Sequence, residues 1–501
     1  MYKTIIYKEA AVYKKIEQGL SKISNNIDPK LIECISNIYP SEKQTDLICI
    51  MIHRSPMLTK SKKKNPLLTT DLTIDEITRM HSFQDITLIR EKNKLIVSKM
   101  PNFDHKKAVF FDGDRYIHGR FFKKKNNYFT YKPNLSKNKN PIRLFVENNE
   151  LTSIEKNISP FDRLGRVFPH AHIAIFPDFH KSNALIPIGT AIGFNNNKKI
   201  FINTLGYDLG CGFRYVIIKK EDIENNKTEI VNSFFDEITK VMGKATPGYK
   251  VDNKTYPINA IGKGNHFIEL EEIVESHDKS LMHEGDIVIT IHSGSGTLGN
   301  YIFDMFNKKI KQEPIALKEG IYVADWNSSI GLQYLKYIKS ADNFSRYKRK
   351  TLMDTLVKQI AKRINKIIKP VFENDHIHNT ISEKNNWIIY RKGVSEINRS
   401  PLFIAGSMGT PSALLTIEPN ESNLFSINHG SGRVWSRSEA KELFSDNYTS
   451  PYTFNTNKKT KDIFSEYPEA YKDSSKIFKT MQKTLKAKII ALCKPLATYK
   501  E

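Results

Sequence analysis

From about residue 145 onward, the chain repeats one pattern: a short apolar run that ends in a glycine-rich, polar turn. Short apolar runs bounded by turn residues are typical of buried β-strands. Glycines in the turns tolerate a positive φ and let the backbone approach a ligand closely. The pattern therefore predicts strands whose ends carry polar chemistry, at 172–180, 207–212, 262–270, 286–296 and 424–433.

Longer stretches of the same region follow the helical period. Helical patterns lie at 299–312, 330–368 and 473–490. Since these helices do not alternate one for one with the strands, a regular βαβ repeat is excluded. The sequence predicts an α+β fold with mixed strands and helices.

The first 145 residues have a different texture, rich in Lys and Asn and poor in glycine. An amphipathic helical start within 1–55 is followed by a strand-like apolar run at 47–52, and strands are expected on both sides of a turn at 110–115. We predict a small basic α/β extension over 1–145, of unknown role, and a catalytic domain over 146–501.

The net charge of the chain indicates which class of partner it could bind. The chain has 77 Lys and Arg against 54 Asp and Glu, a formal net charge of +23. Such a balance favours an acidic polymer or an anionic surface as partner. The alternative is a Lys-rich surface of the kind that an AT-rich genome encodes, with no specific partner. A hydrophobic content of 39% provides a sizeable core and argues against wholesale disorder.

Cysteine usage and the absence of targeting patterns indicate the compartment. The four cysteines are scattered, without a CxxC pair, which favours a reducing environment. No apolar run reaches the length of a membrane span, and the N-terminus lacks the apolar core of a secretion signal. We expect a cytoplasmic protein with no membrane partner, and a monomer.

Five of the strand-end residues form a candidate metal-binding set: Asp208, Cys211, His266, His292 and His378. Each is individually a weak signal, because a single His is more often structural than a ligand. As a set, imidazole, thiolate and carboxylate suit Zn, Fe or Mn, and the carboxylate favours Mn. A single cysteine argues against a closed structural zinc site.

A second cluster surrounds His429. The histidine is followed by Gly-Ser-Gly and then by Arg433 and Arg437, a setting that suits a nucleophile or a phosphate site. If the segment is helical, the four-residue spacing puts both guanidinium groups on one face. An ordinary glycine turn before a basic helix is the alternative. The glycine turn at 404–415, which contains Ser407, is a weaker phosphate-cradle candidate.

The motifs YDLGCG, GKGNHFIEL, HSGSGTLGN, HIHNTIS, YRKG, GSMGT, HGSGRVWSR and EAYKD occur here in one order. In that order they resemble the motifs of the RtcB family of GTP-dependent RNA ligases, over about 170–500. The short segment between Asp208 and His266 is similar to that of the compact bacterial members. The resemblance implies an RtcB-like mixed fold with a central cleft for metal and GTP.

The resemblance also implies roles for individual residues. His429 would be the guanylated nucleophile, and Cys211 would be shared between two Mn²⁺ ions bound by the five candidate ligands. The implied GTP-binding residues are Asn265, Glu269, Ser407, Gly430, Tyr471 and Lys500. The implied phosphate- or RNA-binding residues are Arg433, Arg437 and Lys392.

The implied reaction joins RNA 3′-phosphate or 2′,3′-cyclic phosphate ends to 5′-hydroxyl ends, in RNA repair or tRNA splicing, with an activating protein as a possible further partner. A Mn-dependent phosphodiesterase and an inactive RNA-binding protein are the alternatives. One departure concerns Gly296, since the family usually has Arg at this position. An unreplaced anion contact would cost about 1.5–3 kcal/mol of RNA binding.

Overall fold

The computed structural model describes residues 87–91, 94–99, 109–111, 116–118, 122–131 and 140–501, with short gaps at 152–153, 155–156, 183, 196–198, 245–247, 313–315, 319, 445–447 and 460–462. The chain divides into two compact units, Met1–Lys123 and Lys124–Glu501. The domain boundary predicted at 145/146 stays a prediction. The second compact unit begins at Lys124, before that boundary.

In the first unit, the described residues form two antiparallel hairpins. Strand β1 (Thr87–Glu91) pairs with β2 (Lys94–Lys99), and β3 (Val109–Phe111) pairs with β4 (Tyr116–His118). The second hairpin flanks the predicted turn at 110–115. The helical start and the strand-like run predicted before residue 55 lie outside the described residues.

From residue 122 onward, the chain forms two seven-stranded sheets. Across the first sheet, all neighbours are antiparallel, in the order β18 (Phe372–Ile377), β11 (Gly212–Ile218), β15 (Ile287–Ser293), β14 (Phe267–Ser276), β25 (Lys488–Tyr499), β23 (Ser412–Thr416) and β22 (Leu402–Ile404). The second sheet runs β19 (Asn379–Lys384), β20 (Trp387–Lys392), β9 (Ile188–Asn195), β8 (His172–His180), β7 (Ile142–Leu144), β6 (Phe129–Tyr131) and β5 (Phe122–Lys124).

Smaller ladders complete the strands: β12 (Tyr249–Val251) with β13 (Lys254–Tyr256), β21 (Val394–Glu396) with β24 (Ser426–Asn428), and β10 (Lys199–Phe201) with β17 (Ile321–Asp325) and β16 (Ala316–Lys318). The α-helices are α1 (Ser159–Val167), α2 (Lys220–Ile223), α3 (Lys227–Met242), α4 (Thr297–Gln312), α5 (Ser329–Arg363), α6 (Arg437–Leu443) and α7 (Ser474–Leu485). Single 3₁₀ turns lie at Asn148–Glu150, Glu224–Asn226, Glu421–Asn423, Phe464–Glu466 and Pro468–Ala470. This mixture of helix and sheet is the predicted α+β class.

Two of the three predicted helices match the structure closely, as α4 and α5. The hydroxyl of Ser328 caps α5 by accepting a hydrogen bond from the backbone N–H of Gly331. The third prediction, 473–490, is too long. Helix α7 ends at Leu485 because Lys486 adopts a left-handed φ of 59°, and the residues from Lys488 pair in β25 instead.

The core lies on both faces of the first sheet. Helices α3 and α5 cover one face, where Phe234, Leu270 and Leu356 belong to one buried apolar cluster. On the other side, residues of both sheets share a cluster with α7, including Phe176, Ile404 and Phe478. The first sheet is therefore held rigidly between layers, which fixes the positions of its strand ends. Among the helices of the described residues, none combines the length and apolarity needed to cross a membrane.

Candidate functional site

The candidate metal ligands meet because their strands are antiparallel neighbours. Strand β11 begins at Gly212, which pairs with Ser293 at the end of β15 and with Ile377 at the end of β18. In an antiparallel sheet, the start of one strand lies beside the end of the next. Cys211, His292 and His378, which occupy those ends, therefore share one edge of the first sheet.

Side-chain distances show a compact donor cluster at this edge. The Sγ atom of Cys211 lies 3.2 Å from Nε2 of His292 and 3.3 Å from Nε2 of His266. Nε2 of His266 lies 3.2 Å from Oδ2 of Asp208, and Nε2 of His292 lies 3.2 Å from Nε2 of His378. The donors form two groups whose ligand atoms all lie within 4.8 Å of one another, Cys211–His292–His378 and Asp208–Cys211–His266, and Cys211 belongs to both.

The protonation pattern of this cluster fits a cation. Nδ1 of His292 donates to the carbonyl oxygen of Asn265 at 3.0 Å, so its Nε2 directs a lone pair into the cluster. Burial lowers the pKa values of His292 and His378 well below the ordinary range, and both imidazoles are neutral. Neutral nitrogen donors at van der Waals distance from one another, beside a thiol and a carboxylate, suit a divalent transition metal.

The charges around the cluster point the same way. Burial raises the pKa of the Cys211 thiol, and the adjacent Asp208 carboxylate raises it further. Burial opposes ionisation of Asp208 as well, but the neighbouring His266 keeps the pKa of this carboxyl well below its usual range. A bound cation would offset the cost of placing a thiolate beside this carboxylate.

Arg349, which the sequence patterns do not single out, fixes the loops that carry the donors. Its fully buried guanidinium donates to both carboxylate oxygens of Asp375, at 2.8 and 3.0 Å. A third nitrogen donates to the carbonyl oxygens of Gly210 (3.0 Å) and Ser293 (2.6 Å). Because these carbonyls neighbour Cys211 and His292, α5 holds the cluster in place.

His429 stands against the metal-ligand cluster. It follows β24, and its ring centroid lies 4.5 Å from that of His378. Nδ1 of His429 lies 2.7 Å from Oδ2 of Asp178 and 2.8 Å from the carbonyl oxygen of Gly393. Both contacts require a proton on Nδ1, so Nε2 is the ring nitrogen that these partners leave unengaged. The structure thus presents an oriented imidazole beside the cluster.

Asp178 is a second site residue that the sequence patterns leave undistinguished. It lies in β8 with no solvent exposure. The loop after His429 packs tightly on it: Gly432 has a φ of 73°, and a Cβ there would lie 2.3 Å from the carbonyl oxygen of Asp178. The run 172–180 ends in the same kind of polar turn as the ligand-bearing strands, which is the signal that could have found Asp178.

Glu466 organises a third cluster, and it too is absent from the predicted set. Its carboxylate accepts hydrogen bonds from Arg433 (3.4 Å), Arg437 (3.3 Å) and Lys500 (3.5 Å), and from the hydroxyl of Tyr471. Burial alone would raise the pKa of Glu466, but these cations hold it well below its usual range. The predicted guanine-binding residues Tyr471 and Lys500 therefore share one anchor.

The segment that joins the two arginines is not a continuous helix, so a shared helical face does not arise. Arg433 lies in an isolated bridge with Tyr471, and α6 begins only at Arg437, because the side chain of Ser436 caps the helix there. The guanidinium groups meet on Glu466 instead. Arg433 also donates to the carbonyl of Ser465 and lies 4.7 Å above the Tyr471 ring, so its charge is largely used within the protein.

Asn265 connects the two clusters. Its carbonyl oxygen accepts from His292, and its side-chain oxygen accepts from Arg437 at 3.0 Å. The half-exposed Arg437 is therefore the arginine of the pair that faces the metal-ligand cluster and solvent.

The other residues predicted to bind GTP differ in their burial and hydrogen bonding. The side chains of Ser407 and Thr410 are hydrogen-bonded at 2.8 Å in a tight turn, and Gly430 bridges to Ala405. Glu269 is buried, accepts from Thr498 at 2.5 Å, and has its pKa raised by burial to about 7.

Two further positions discussed from the sequence are Lys392, which contacts the backbone three residues before Asp208, and Gly296, four residues after His292. The ammonium of Lys392 donates to the carbonyl of Leu205, and burial lowers its pKa to about 8. Gly296 has a φ of 56°, and a Cβ there would meet no described atom within 4 Å, so the backbone is open to solvent or ligand at this position.

The fold and the site define a class of protein: an α+β chain with a thiol–imidazole–carboxylate cluster that could hold a metal ion, beside an oriented histidine. A family model described as "tRNA-splicing ligase RtcB" matches residues 248–501, more than half of the chain. The chain belongs to the RtcB family.

Individual relatives extend the likeness beyond that segment. A tRNA-splicing ligase RtcB of Nanoarchaeum equitans is 24% identical over 72% of this chain and 95% of its own length. An RNA-splicing ligase RtcB of Escherichia coli K12 is 26% identical over 61% of this chain and 85% of its own length. The similarity therefore covers nearly the full length of these relatives.

Proposed function

We propose that this protein is a metal-dependent RNA ligase that joins RNA 3′-phosphate or 2′,3′-cyclic phosphate ends to 5′-hydroxyl ends. The observation that carries the proposal is the contact between His429 and Asp178 beside the candidate metal ligands. The ring centroid of His429 lies 4.5 Å from that of His378, one of those candidates. This arrangement equips a histidine for nucleophilic attack at a phosphate held by the centre. The names of the relatives, RNA-splicing and tRNA-splicing ligases, support the same reaction.

The proposed cofactors are two Mn²⁺ ions and GTP. Asp208, Cys211 and His266 would hold one ion, and Cys211, His292 and His378 the other, because the thiol belongs to both groups. When bound, the ions supply Lewis-acid polarisation of phosphate oxygens and neutralise developing charge. The mixed nitrogen, sulfur and oxygen donors fit such ions.

In the first step, Nε2 of His429 attacks the α-phosphorus of GTP, and pyrophosphate leaves. Asp178 keeps the proton on Nδ1 and stabilises the positive charge that develops on the ring as the N–P bond forms. The buried position of Asp178 strengthens this interaction, since little water screens it.

The second and third steps transfer GMP and then release it. An oxygen of the RNA 3′-phosphate attacks the guanylate phosphorus, the N–P bond breaks, and an RNA-(3′)pp(5′)G end results. The RNA 5′-hydroxyl then attacks the 3′-phosphorus, loses its proton, and expels GMP. A cyclic phosphate end would first be hydrolysed at the same site. Exclusion of water from both activated species favours a central cleft around His429.

The proposed GTP site follows from the cluster around Glu466. Tyr471 and Lys500 would contact the guanine, with Ser407 at its edge, while Asn265, Glu269 and Gly430 would lie along the nucleotide. Arg437 and Lys392 would contact phosphates, and Arg433 would brace Tyr471. The excess of basic residues would favour RNA, with residues 1–145 as a basic extension.

Covalent labelling tests the proposal. Incubation with α-³²P-GTP and Mn²⁺ should give an acid-labile, alkali-stable adduct on the chain, as expected of a phosphoramidate. His429→Ala should abolish the adduct, whereas His277→Ala, which alters an exposed histidine paired with Glu275, should label normally. A wild-type protein that stays unlabelled, or a His429→Ala variant that labels equally, would overturn the proposal.

A further inference from the structure

Tyr207 occupies an unusual position for a large aromatic residue. It directly precedes the metal-ligand candidate Asp208, yet 53% of its surface is exposed. A single exposed aromatic residue on a protein surface ordinarily needs no functional explanation. Here the exposed residue stands next in the chain to the candidate metal ligand Asp208, whose side chain is itself 40% exposed.

The backbone holds this ring firmly. Gly206 has a φ of 77°, and the ammonium of Lys392 donates to the carbonyl of Leu205 just before it. From the other side, α4 packs directly on the turn: a Cβ on Gly299 would lie only 2.2 Å from the carbonyl oxygen of Tyr207. The backbone of this turn therefore has little freedom.

One neighbour supports the ring from behind. The centroid of the Phe303 ring, on α4, lies 4.0 Å from that of Tyr207, with the planes tilted by 41°. Such a contact stabilises an aromatic side chain and leaves its other face free for a third ring. At the start of α4, Gly296, Thr297 and Asn300 are exposed and uncharged, whereas Asp304, the neighbour of Phe303, is exposed and carries a carboxylate. The ring therefore offers an apolar face for a base rather than an attraction for phosphate.

We propose that Tyr207 is a stacking platform for the nucleobase of the RNA nucleotide that carries the terminal 3′-phosphate. The inference rests on the proposed ligase function, because that function brings this phosphate to the centre beside Asp208. The base attached to the same nucleotide is then the one that Tyr207 meets first. Stacking on a tyrosine accepts any base, so the platform would position RNA ends of any sequence.

Two substitutions and one altered substrate test the platform. In ligation assays, Tyr207→Ala should raise the KM for the 3′-phosphate RNA about 10-fold with little change in kcat, whereas Tyr207→Trp should retain the wild-type KM. Tyr347→Ala is the matched control, since that tyrosine is 42% exposed and has its own aromatic neighbour, Tyr249, at 5.4 Å. Its KM should not change.

An RNA whose 3′-terminal nucleotide lacks its base provides the second arm. For the wild type, the KM for this RNA should be about 10-fold higher than for the intact RNA. For Tyr207→Ala, the KM for the two RNAs should be the same. An unchanged KM in Tyr207→Ala, or equal losses with the abasic RNA in both proteins, would overturn the inference.

Labelling with GTP distinguishes a failure of the ligase proposal from a failure of the stacking inference. Tyr207→Ala should label at the wild-type rate, which also shows that the Asp208 turn is intact. If the wild type itself fails to label, the ligase proposal falls and the platform with it. If labelling and ligation are normal but the KM is unaffected, the platform alone falls.

Discussion

Nδ1 of His429 and Oδ2 of Asp178 lie 2.7 Å apart, although 251 positions separate the two residues in the chain. The carboxylate is completely buried, and the imidazole is 13% exposed. A buried carboxylate on one ring nitrogen leaves the other nitrogen as the reactive atom. This single contact gives His429 a role that the other histidines near the cluster do not have.

Asp178→Asn should slow guanylylation by roughly 100-fold or more, because the amide lacks the charge that stabilises the developing imidazolium. The rate of label incorporation from GTP at saturating Mn²⁺ measures the effect. Asp354→Asn, at an exposed carboxylate paired with Lys350, is the control and should keep the wild-type rate. A normal rate in Asp178→Asn would remove Asp178 from the mechanism.

Cys211→Ala should weaken Mn²⁺ binding by at least ~100-fold, because each of the two donor groups loses one of its three members. Metal content after equilibrium dialysis checks this. Cys493→Ala is the matched control, since this buried cysteine belongs to an apolar cluster without the metal-ligand candidates. Full metal content in Cys211→Ala would contradict the shared-thiolate arrangement.

Glu466→Gln should raise the KM for GTP by about 10-fold and leave the rate of guanylylation at saturation nearly unchanged. The reason is that Tyr471 and Lys500 lose their common anchor, while His429 and the metal-ligand cluster are untouched. Steady-state labelling over a range of GTP concentrations separates the two parameters. Glu442→Gln, on the exposed side of α6, should change neither; a pure loss of rate in Glu466→Gln would argue against a binding role.

Glu271→Gln should stabilise the protein at alkaline pH. Neither carboxylate oxygen of this buried residue has a well-aligned hydrogen-bond partner in the described part of the chain, although the hydroxyls of Ser412 and Thr290 lie near it. Burial raises the pKa of Glu271 well above 4.5, and the nearby Glu269 raises it further. The folded protein thus holds protons that the unfolded chain releases, and stability falls as pH rises from about 4.5 through the folded-state pKa values.

Since Gln mimics the protonated acid, the variant should gain about 1–3 kcal/mol in the free energy of unfolding at pH 8 relative to the wild type, and much less at pH 4.5. Urea unfolding at the two pH values measures this difference. The exposed Glu275, which pairs with His277, offers the control substitution Glu275→Gln, for which no such pH-dependent gain is expected. An equal effect at both pH values would mean that Glu271 is not protonated in the fold.

Local patterns predicted much of the secondary structure. The run at 172–180 coincides with β8, and the helical patterns at 299–312 and 330–368 correspond to α4 and α5. These succeed because the hydrophobic period and the capping residues are properties of neighbouring positions. The pattern at 473–490 fails in its last residues, where pairing with β23 overrides the local helical period.

The sequence by itself determined which residues are candidates for metal binding or nucleophilic attack, that they stand at strand ends, and which family the chain resembles. The tertiary structure alone decided that those strand ends meet at one sheet edge, that Asp178 orients His429, and that Glu466 gathers Arg433, Arg437, Lys500 and Tyr471. The physical reason is distance along the chain. Turn chemistry and periodicity act over a few residues, whereas strand order and register depend on packing between segments that are far apart in sequence.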